Sequence, residues 1–374
     1  MHPIYLDHNA TTPVDPEVLR AMLPFLREEY GNPSSAHALG KRARDAVEAA
    51  RVEVAALIGA QPREIVFTSG GTEASNIAIH GAARMRSDRR AVVTTTIEHP
   101  ATDECCRRLE GAGHPIERIP PGPDGRVDAE SFLAALDGKT ALVTVIHAQN
   151  EIGTLQPVAE IARFARSHGA LMHADAAQSL GKIPVDVEQL GIDLLSIAGH
   201  KLYAPKGVGA LFVRRSVSIE PLVHGAGHEN GRRAGTESAL LAVGLGKACE
   251  LARNLSPMDG VRALRERFWQ GLQRQFGDGV VLNGHPTHRL PNTLNVSFVG
   301  RSGAEILARL DGVAASTGSA CHSGRIELSP VLQAMGISPH VGMGAIRFSL
   351  GRSTTRDEID AVLERLTEVL AVAD

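Results

Sequence analysis

Six short apolar or β-branched runs recur along the first two thirds of this chain, and their spacing constrains the fold more than any other feature. They are EIVFTS at 64–69, AVVTTT at 91–96, TALVTVIHA at 140–148, ALMHAD at 170–175, DLLSIA at 193–198 and GALFV at 209–213. Most are apolar at consecutive positions, so both faces need cover, as in a buried parallel sheet. Between them lie helical patterns at about 72–86, 100–111, 128–136 and 157–168. Strand alternating with helix predicts a doubly wound α/β domain. An amphipathic helix at 41–58 precedes them, with Ala43, Ala46, Val47, Ala50, Val54, Leu57 and Ile58 on one face and Gly59 as its stop.

After the polar stretch at 254–260 the pattern changes. A long helix at 260–276, short strands near 278–283, 293–299 and 313–315, a helix at 303–310, the apolar run AIRFSL at 345–350 and a last helix at 355–372 follow. The expected division is a large α/β domain over 14–255 and a smaller α+β domain from 1–13 and 256–374.

Composition removes several classes of function. The 374 residues are 43% hydrophobic and 22% charged, enough for a sizeable core. A net charge of −3 and 13 aromatic residues offer neither an electrostatic footprint nor a stacking platform for nucleic acid. The four cysteines form no disulfide framework and no paired zinc spacing, and His224/His228 and His285/His288 lack a metal-site context, so no metal is expected. No apolar run reaches about 18 residues, and a soluble, cytoplasmic protein without a membrane partner is expected.

Open α/β sheets bind ligands at the carboxyl ends of their strands. The strand ending at Phe67 runs into TSGGTE, where the N–H groups of Gly71 and Thr72 at a helix start suit a phosphate. The bland reading is an ordinary turn with a Thr cap. ALMHAD ends in Asp175, with Gln178 three residues on. A carboxylate at the end of a buried strand is costly unless it meets a cation or strong donor. A helix cap answers that cost, and so does a protonated ring nitrogen.

Lysine is scarce, six residues against 33 arginines, and only Lys201 leaves an apolar strand directly. Held against low-dielectric surroundings it is a nucleophile toward an aldehyde, whereas Lys206 in its Pro-Lys-Gly turn reads as a surface residue. Phosphate cradle, carboxylate and amine on separate strand ends are the parts a pyridoxal phosphate site needs. His99 in IEHPA is a structural histidine or a proton carrier stacked on a planar ring. Asn150 follows another strand, and Arg347 in AIRFSLGR is a surface arginine or a carboxylate clamp. Cys321 lies in ASTGSACHSG, a small-residue run next to His322. Cys105, Cys106 and Cys249 fall in helical patterns and read as packing residues.

The motifs YLDHNATTPVDPEV, YGNPSSAH, EIVFTSGGTEASN, IEHPA, QNEIG, HADAAQSLGKIPVD, GHKLYAPKGVGAL, RRAGTE, STGSAC and IRFSLGRSTT, in this order over about residues 4–360, resemble the pyridoxal-phosphate cysteine desulfurases of the NifS/IscS type, with the selenocysteine lyases as near relatives. The resemblance implies fold type I, with a mostly parallel seven-stranded sheet. It implies that Lys201 forms the Schiff base, Asp175 pairs with the pyridine nitrogen, Gln178 bonds the ring hydroxyl and His99 stacks on the ring. Gly71, Thr72 and His200 would hold the phosphate, joined by Thr236 from the second subunit of a homodimer. Asn150 and Arg347 would bind the substrate carboxylate with Asn32 nearby, and Cys321 would accept the sulfur.

So read, L-cysteine becomes L-alanine, with Lys201 the base at Cα, His99 taking the thiol proton and a persulfide on Cys321 for an acceptor or iron–sulfur scaffold protein. The alternatives are a selenocysteine β-lyase, favoured by ACHS at 320–323, and a non-catalytic assembly subunit. Two features depart from the family. Ala198 stands where a phosphate-binding Ser is usual, and the chain stops soon after the final helix.

Overall fold

Alternate side chains of each central strand enter opposite cores, as the period of two in an extended chain requires. The computed structural model describes residues 3–86, 88–317 and 327–371. Its main sheet has seven strands in the spatial order Ile65–Thr68, Gly209–Val213, Leu194–Ala198, Leu171–Asp175, Thr140–Ile146, Ala91–Thr95 and Ile116–Ile119. All neighbours are parallel except Gly209–Val213, antiparallel to the strand on each side. The other six strands therefore point the same way.

Val93, Val143, Val145, Met172, Leu195, Ile197 and Phe212 enter one core, and the alternating Val92, Leu142, Leu171, Leu194 and Leu211 the other. Helices Ala38–Leu57, Val158–Ser167 and Ala239–Ala252 contribute to the first, and Gly71–Arg84 and Pro100–Gly111 to the second. Each fully buried Leu, Ile or Phe contributes about 1.5–3 kcal/mol relative to its exposure in water.

A third core gathers Leu294, Val296, Phe298, Ile346 and Phe348 with Leu6, Phe268, Ile359, Val362 and Leu366. Its sheet is antiparallel, in the order Ala345–Ser349, Thr293–Phe298, Val280–Asn283. Ile4–Tyr5 pairs in parallel with Val313–Ala314, which brings the start of the chain to this core. The segment Val331, Leu332 and Met335 packs instead against the first core of the large sheet.

Helix Pro16–Arg27 is among the elements the sequence reading leaves out, and two others lack a readable pattern. Ile116–Ile119 is an edge strand whose Glu117 is exposed, so it has no apolar run. Ala239–Ala252 is buried along most of its length and apolar nearly all round, so it has no polar face to set a period.

Candidate active site

The carboxyl ends of the co-directed strands open on a cavity of about 400 Å³. Gly71, Thr72, His99, Asn150, Asp175, Gln178, His200, Lys201 and Arg347 all line it. Chain order separates these residues by up to 276 positions, and the sheet brings them together.

One corner is the start of helix Gly71–Arg84. The first turn of a helix has N–H groups with no intrahelical acceptor and the positive end of the macrodipole, a setting for an anion. Gly209 lets this turn sit low on the sheet, because a Cβ there would stand 2.7 Å from Gly70 Cα and 2.4 Å from Ile197 O. Ser75 Oγ donates to Ser196 Oγ at 3.0 Å, and His173 bonds Ser196 Oγ at 2.9 Å and Thr144 Oγ1 at 2.7 Å. This buried relay ties the helix to three strands. Ala198 completes the wall, so close that a Cβ on Gly71 would meet its methyl at 3.2 Å.

The second corner is Asp175, the last residue of strand Leu171–Asp175 and only 6% exposed. Its Oδ1 accepts the Ala177 N–H at 2.9 Å. Burial pushes the carboxyl above its ordinary range, while that N–H, His99 and Lys201 favour the anion. A cationic partner at the cavity would relieve the cost of burial. Gln178 Nε2 donates to Asn9 O at 2.9 Å, and Gln178 Oε1 accepts from the buried Lys182 Nζ at 2.8 Å.

The third corner is Lys201, at the end of the 3₁₀ turn Gly199–Lys201 that follows strand Leu194–Ala198. Its amine donates to Asn9 O and, at 2.8 Å, to Ala10 O. Burial, aided by the nearby Arg347 cation, lowers it to about 8. Much more of it is free base at neutral pH than in an ordinary lysine. The segment 7–12 is pinned here, since Thr12 N and Thr12 Oγ1 each donate to His200 O at 2.9 Å and Tyr203 N donates to Thr12 Oγ1 at 2.8 Å. Burial and the Lys201, Lys206 and His99 charges lower His200 to about 4, so its ring is neutral.

His99 caps helix Pro100–Gly111, its Nδ1 accepting the Ala101 N–H at 3.1 Å. Burial pulls the ring below its ordinary value, with Asp175 opposing and Lys201 assisting. A neutral ring whose Nδ1 is occupied as an acceptor carries its proton on Nε2.

Arg347 arrives from the third core. Ile346 and Phe348 point into that core, and the strand period turns Arg347 the other way. Its Nη1 donates to Asn150 O at 3.0 Å and its Nη2 to Asp7 Oδ1 at 2.8 Å, while its buried Nε has no partner among the described residues. A guanidinium so placed has donors to offer a carboxylate.

Two expected site residues among those described are not gathered into the cavity. Asn32 is exposed, its Oδ1 accepting the Ser34 N–H at 2.9 Å in the turn before helix Ala38–Leu57. Thr236 is exposed too and lies beside Arg233 and Glu229 at a separate small pocket. Cys321 lies outside the described residues. Cys105, Cys106 and Cys249 are buried in helices, which pushes their thiols up to about 11, 12 and 12. The residues missed from sequence are Asn9, Ala10 and Lys182. The polar run DHNATT near the start of the chain and the one lysine close behind Gln178 were the available signals.

An anion site, a buried carboxylate and a low-pKa amine around one cavity fit pyridoxal phosphate, which carries a phosphate, a basic ring nitrogen and an aldehyde. Residues 4–362 match the aminotransferase class-V family. Cysteine desulfurase 2 of Trichormus variabilis is 47% identical over 373 residues, spanning 99% of this chain and 94% of that protein. Among solved structures, a NifS-like protein has a TM-score of 0.93 at 37% identity, covering 99% of this chain and all of that one. SspA, solved in complex with cysteine, has a TM-score of 0.84 at 34% identity over 94% of this chain and 99% of its own. With its length matched almost end to end, the chain belongs to the aminotransferase class-V family, whose members are pyridoxal-phosphate enzymes.

Proposed function

We propose that this chain is a pyridoxal-phosphate-dependent cysteine desulfurase, which converts L-cysteine to L-alanine and hands the sulfur to Cys321 as a persulfide. The observation that carries the reading is the convergence of Lys201, Asp175 and the Gly71–Thr72 helix start on one cavity that Arg347 also enters. The relatives named cysteine desulfurase and the neighbour solved with cysteine support the same substrate.

Bound there, the cofactor draws electron density away from Cα of the amino acid. Lys201 would hold it covalently, and as a free amine near 8 it is suited to take a proton at Cα at neutral pH. Asp175 keeps the ring nitrogen protonated, and Gln178 donates to the ring oxygen. Thr72 and His200 bind the phosphate beside the helix start, and Thr236 reaches it from a second copy in a homodimer. Arg347 and Asn150 hold the substrate carboxylate. The Cys321 thiolate attacks the substrate sulfur, so that an S–S bond forms, the C–S bond breaks and its electron pair stays with carbon. That carbon then takes up a proton. His99, neutral with its proton on Nε2, presents a hydrogen-bond donor to the cavity there.

The test is release of alanine and sulfide from L-cysteine with added thiol. Cys321→Ser is expected to abolish sulfur transfer while the protein keeps its bound cofactor, and full activity of that variant removes Cys321 from the mechanism. A colourless protein with no borohydride-trapped adduct on Lys201 after pyridoxal phosphate is supplied overturns the whole reading. Selenide release from L-selenocysteine that survives Cys321→Ala, with cysteine turnover lost, marks a lyase instead.

A further inference from the structure

Behind Lys201 and Gln178 lies a second lysine that the chemistry above does not use. Lys182 is 8% exposed, and its hydrogen-bond partners among the described residues are neutral. Its Nζ donates to Gln178 Oε1 at 2.8 Å and to Asn9 Oδ1 at 3.3 Å. Asn9 Oδ1 also accepts from Asn292 Nδ2 at 3.0 Å, and Asn9 Nδ2 donates to Thr293 Oγ1 at 2.9 Å, so this asparagine is fixed from the third-core side. The backbone carbonyl of Asn9 accepts from both Gln178 and Lys201.

These partners leave the Gln178 amide one orientation. A carbonyl oxygen only accepts, so the nitrogen of Gln178 must face Asn9 O. With the nitrogen so fixed, the oxygen faces Lys182, whose amine donates to it. One N–H of the amide is thereby spent on Asn9 O, and the second is left for the cavity that Gln178 lines. Burial, with the Lys201 and Arg347 cations, pulls the Lys182 amine well below its ordinary value. Keeping an amine there without a carboxylate is expensive unless its hydrogen bonds are used.

We infer that Lys182 is a positioning residue, which locks the Gln178 amide so that it presents an N–H, never an oxygen, to the ring oxygen of the bound cofactor. The inference rests on the pyridoxal-phosphate reading given above. An N–H aimed at that oxygen favours its ionised form, whereas a loosened amide, or one turned over, favours the protonated form.

The experiment is a pH titration of the visible absorbance of the protein loaded with pyridoxal phosphate, for wild type, Lys182→Met, Gln178→Ala and the double variant. Asp7, Asp175, His99, His200, Lys201 and Arg347, the charged and titratable groups that also face the cavity or its lysine, are the same in every arm. Lys182→Met is expected to move the titration midpoint up by about one unit, the shift that losing one hydrogen bond to a charged oxygen produces. In the Gln178→Ala background the same substitution is expected to move it little, because the effect passes through the amide. Should Lys182→Met not fold, Lys182→Gln keeps a polar group in the pocket but ends one bond short of the Gln178 oxygen, and the same direction is expected.

An unchanged midpoint overturns the inference. A shift of equal size with and without Gln178 also overturns it, since Lys182 would then act through its charge alone. A wild-type protein with no visible band and no adduct on Lys201 is a different failure, that of the cofactor reading itself.

Discussion

Replacing Arg51 by Met tests how the loop that carries Thr236 is held. Arg51 and Glu229 are 6% and 2% exposed and meet in a two-pronged pair, Nη1 to Oε2 at 2.7 Å and Nη2 to Oε1 at 3.0 Å. Glu229 Oε2 also accepts the Phe67 N–H at 3.0 Å, at the strand that leads into the Gly71 turn. Both Glu229 (φ 51°) and Asn230 (φ 55°) are left-handed, a conformation that costs each non-glycine residue about 1–2 kcal/mol and persists only under such constraint.

In Arg51→Met the carboxylate of Glu229 stays buried with the Phe67 N–H as its hydrogen bond among the described residues and the Arg232 and Arg233 cations near it. Breaking a buried pair this way costs about 3–5 kcal/mol. Glu229→Gln keeps an acceptor for Phe67 and leaves Arg51 its bonds to Ile65 O and Glu48, so its cost is smaller. The double variant strands no charge. Urea unfolding is therefore expected to show a double-variant cost below the sum of the singles by about 2 kcal/mol. A loss below about 1 kcal/mol for Arg51→Met, or additivity within about 0.5 kcal/mol, refutes the reasoning.

Ala198→Ser adds a hydroxyl to the wall beside Gly71, and one bond to a charged phosphate, about 1.5–3 kcal/mol, is expected to tighten pyridoxal phosphate binding about tenfold or more in a titration of the cofactor-free protein. For Lys201, lowered to about 8, the free-amine fraction grows as pH rises through 8. Capture of pyridoxal phosphate by cofactor-free protein should quicken up to about that pH and then level off, and a rise continuing toward the ordinary lysine value of about 10.4 would contradict the buried placement. His99→Asn keeps a good helix cap but loses the Nε2 proton, so stability should hold within about 0.5 kcal/mol while turnover falls by about 10²–10⁴. Equal losses in stability and turnover would assign His99 to the cap alone.

The strands that lead to the site were legible because each is covered on both faces and therefore spelled as a continuous apolar run, from Ile65–Thr68 through Gly209–Val213. The polar residue that ends such a run, Asp175 or Lys201, stands out against it. Edge strand Ile116–Ile119 and the mostly buried, largely apolar helix Ala239–Ala252 have no such signature, since local pattern records only how a segment's own faces differ. Asn9 was hidden for another reason. Its value lies in partners 141 to 284 positions away, Asn150, Gln178, Lys182, Lys201, Asn292 and Thr293, and nothing in DHNATT says which of them it meets.

From residue order alone came the alternation of strand and helix, the polar groups at strand ends and the family likeness, because each is a property of short stretches. Which way Arg347 faces, which tautomer His99 holds and how Gln178 is turned came only from the folded molecule. Those are set by hydrogen bonds and burial between distant segments, and a linear pattern carries no record of which donor ends up against which acceptor.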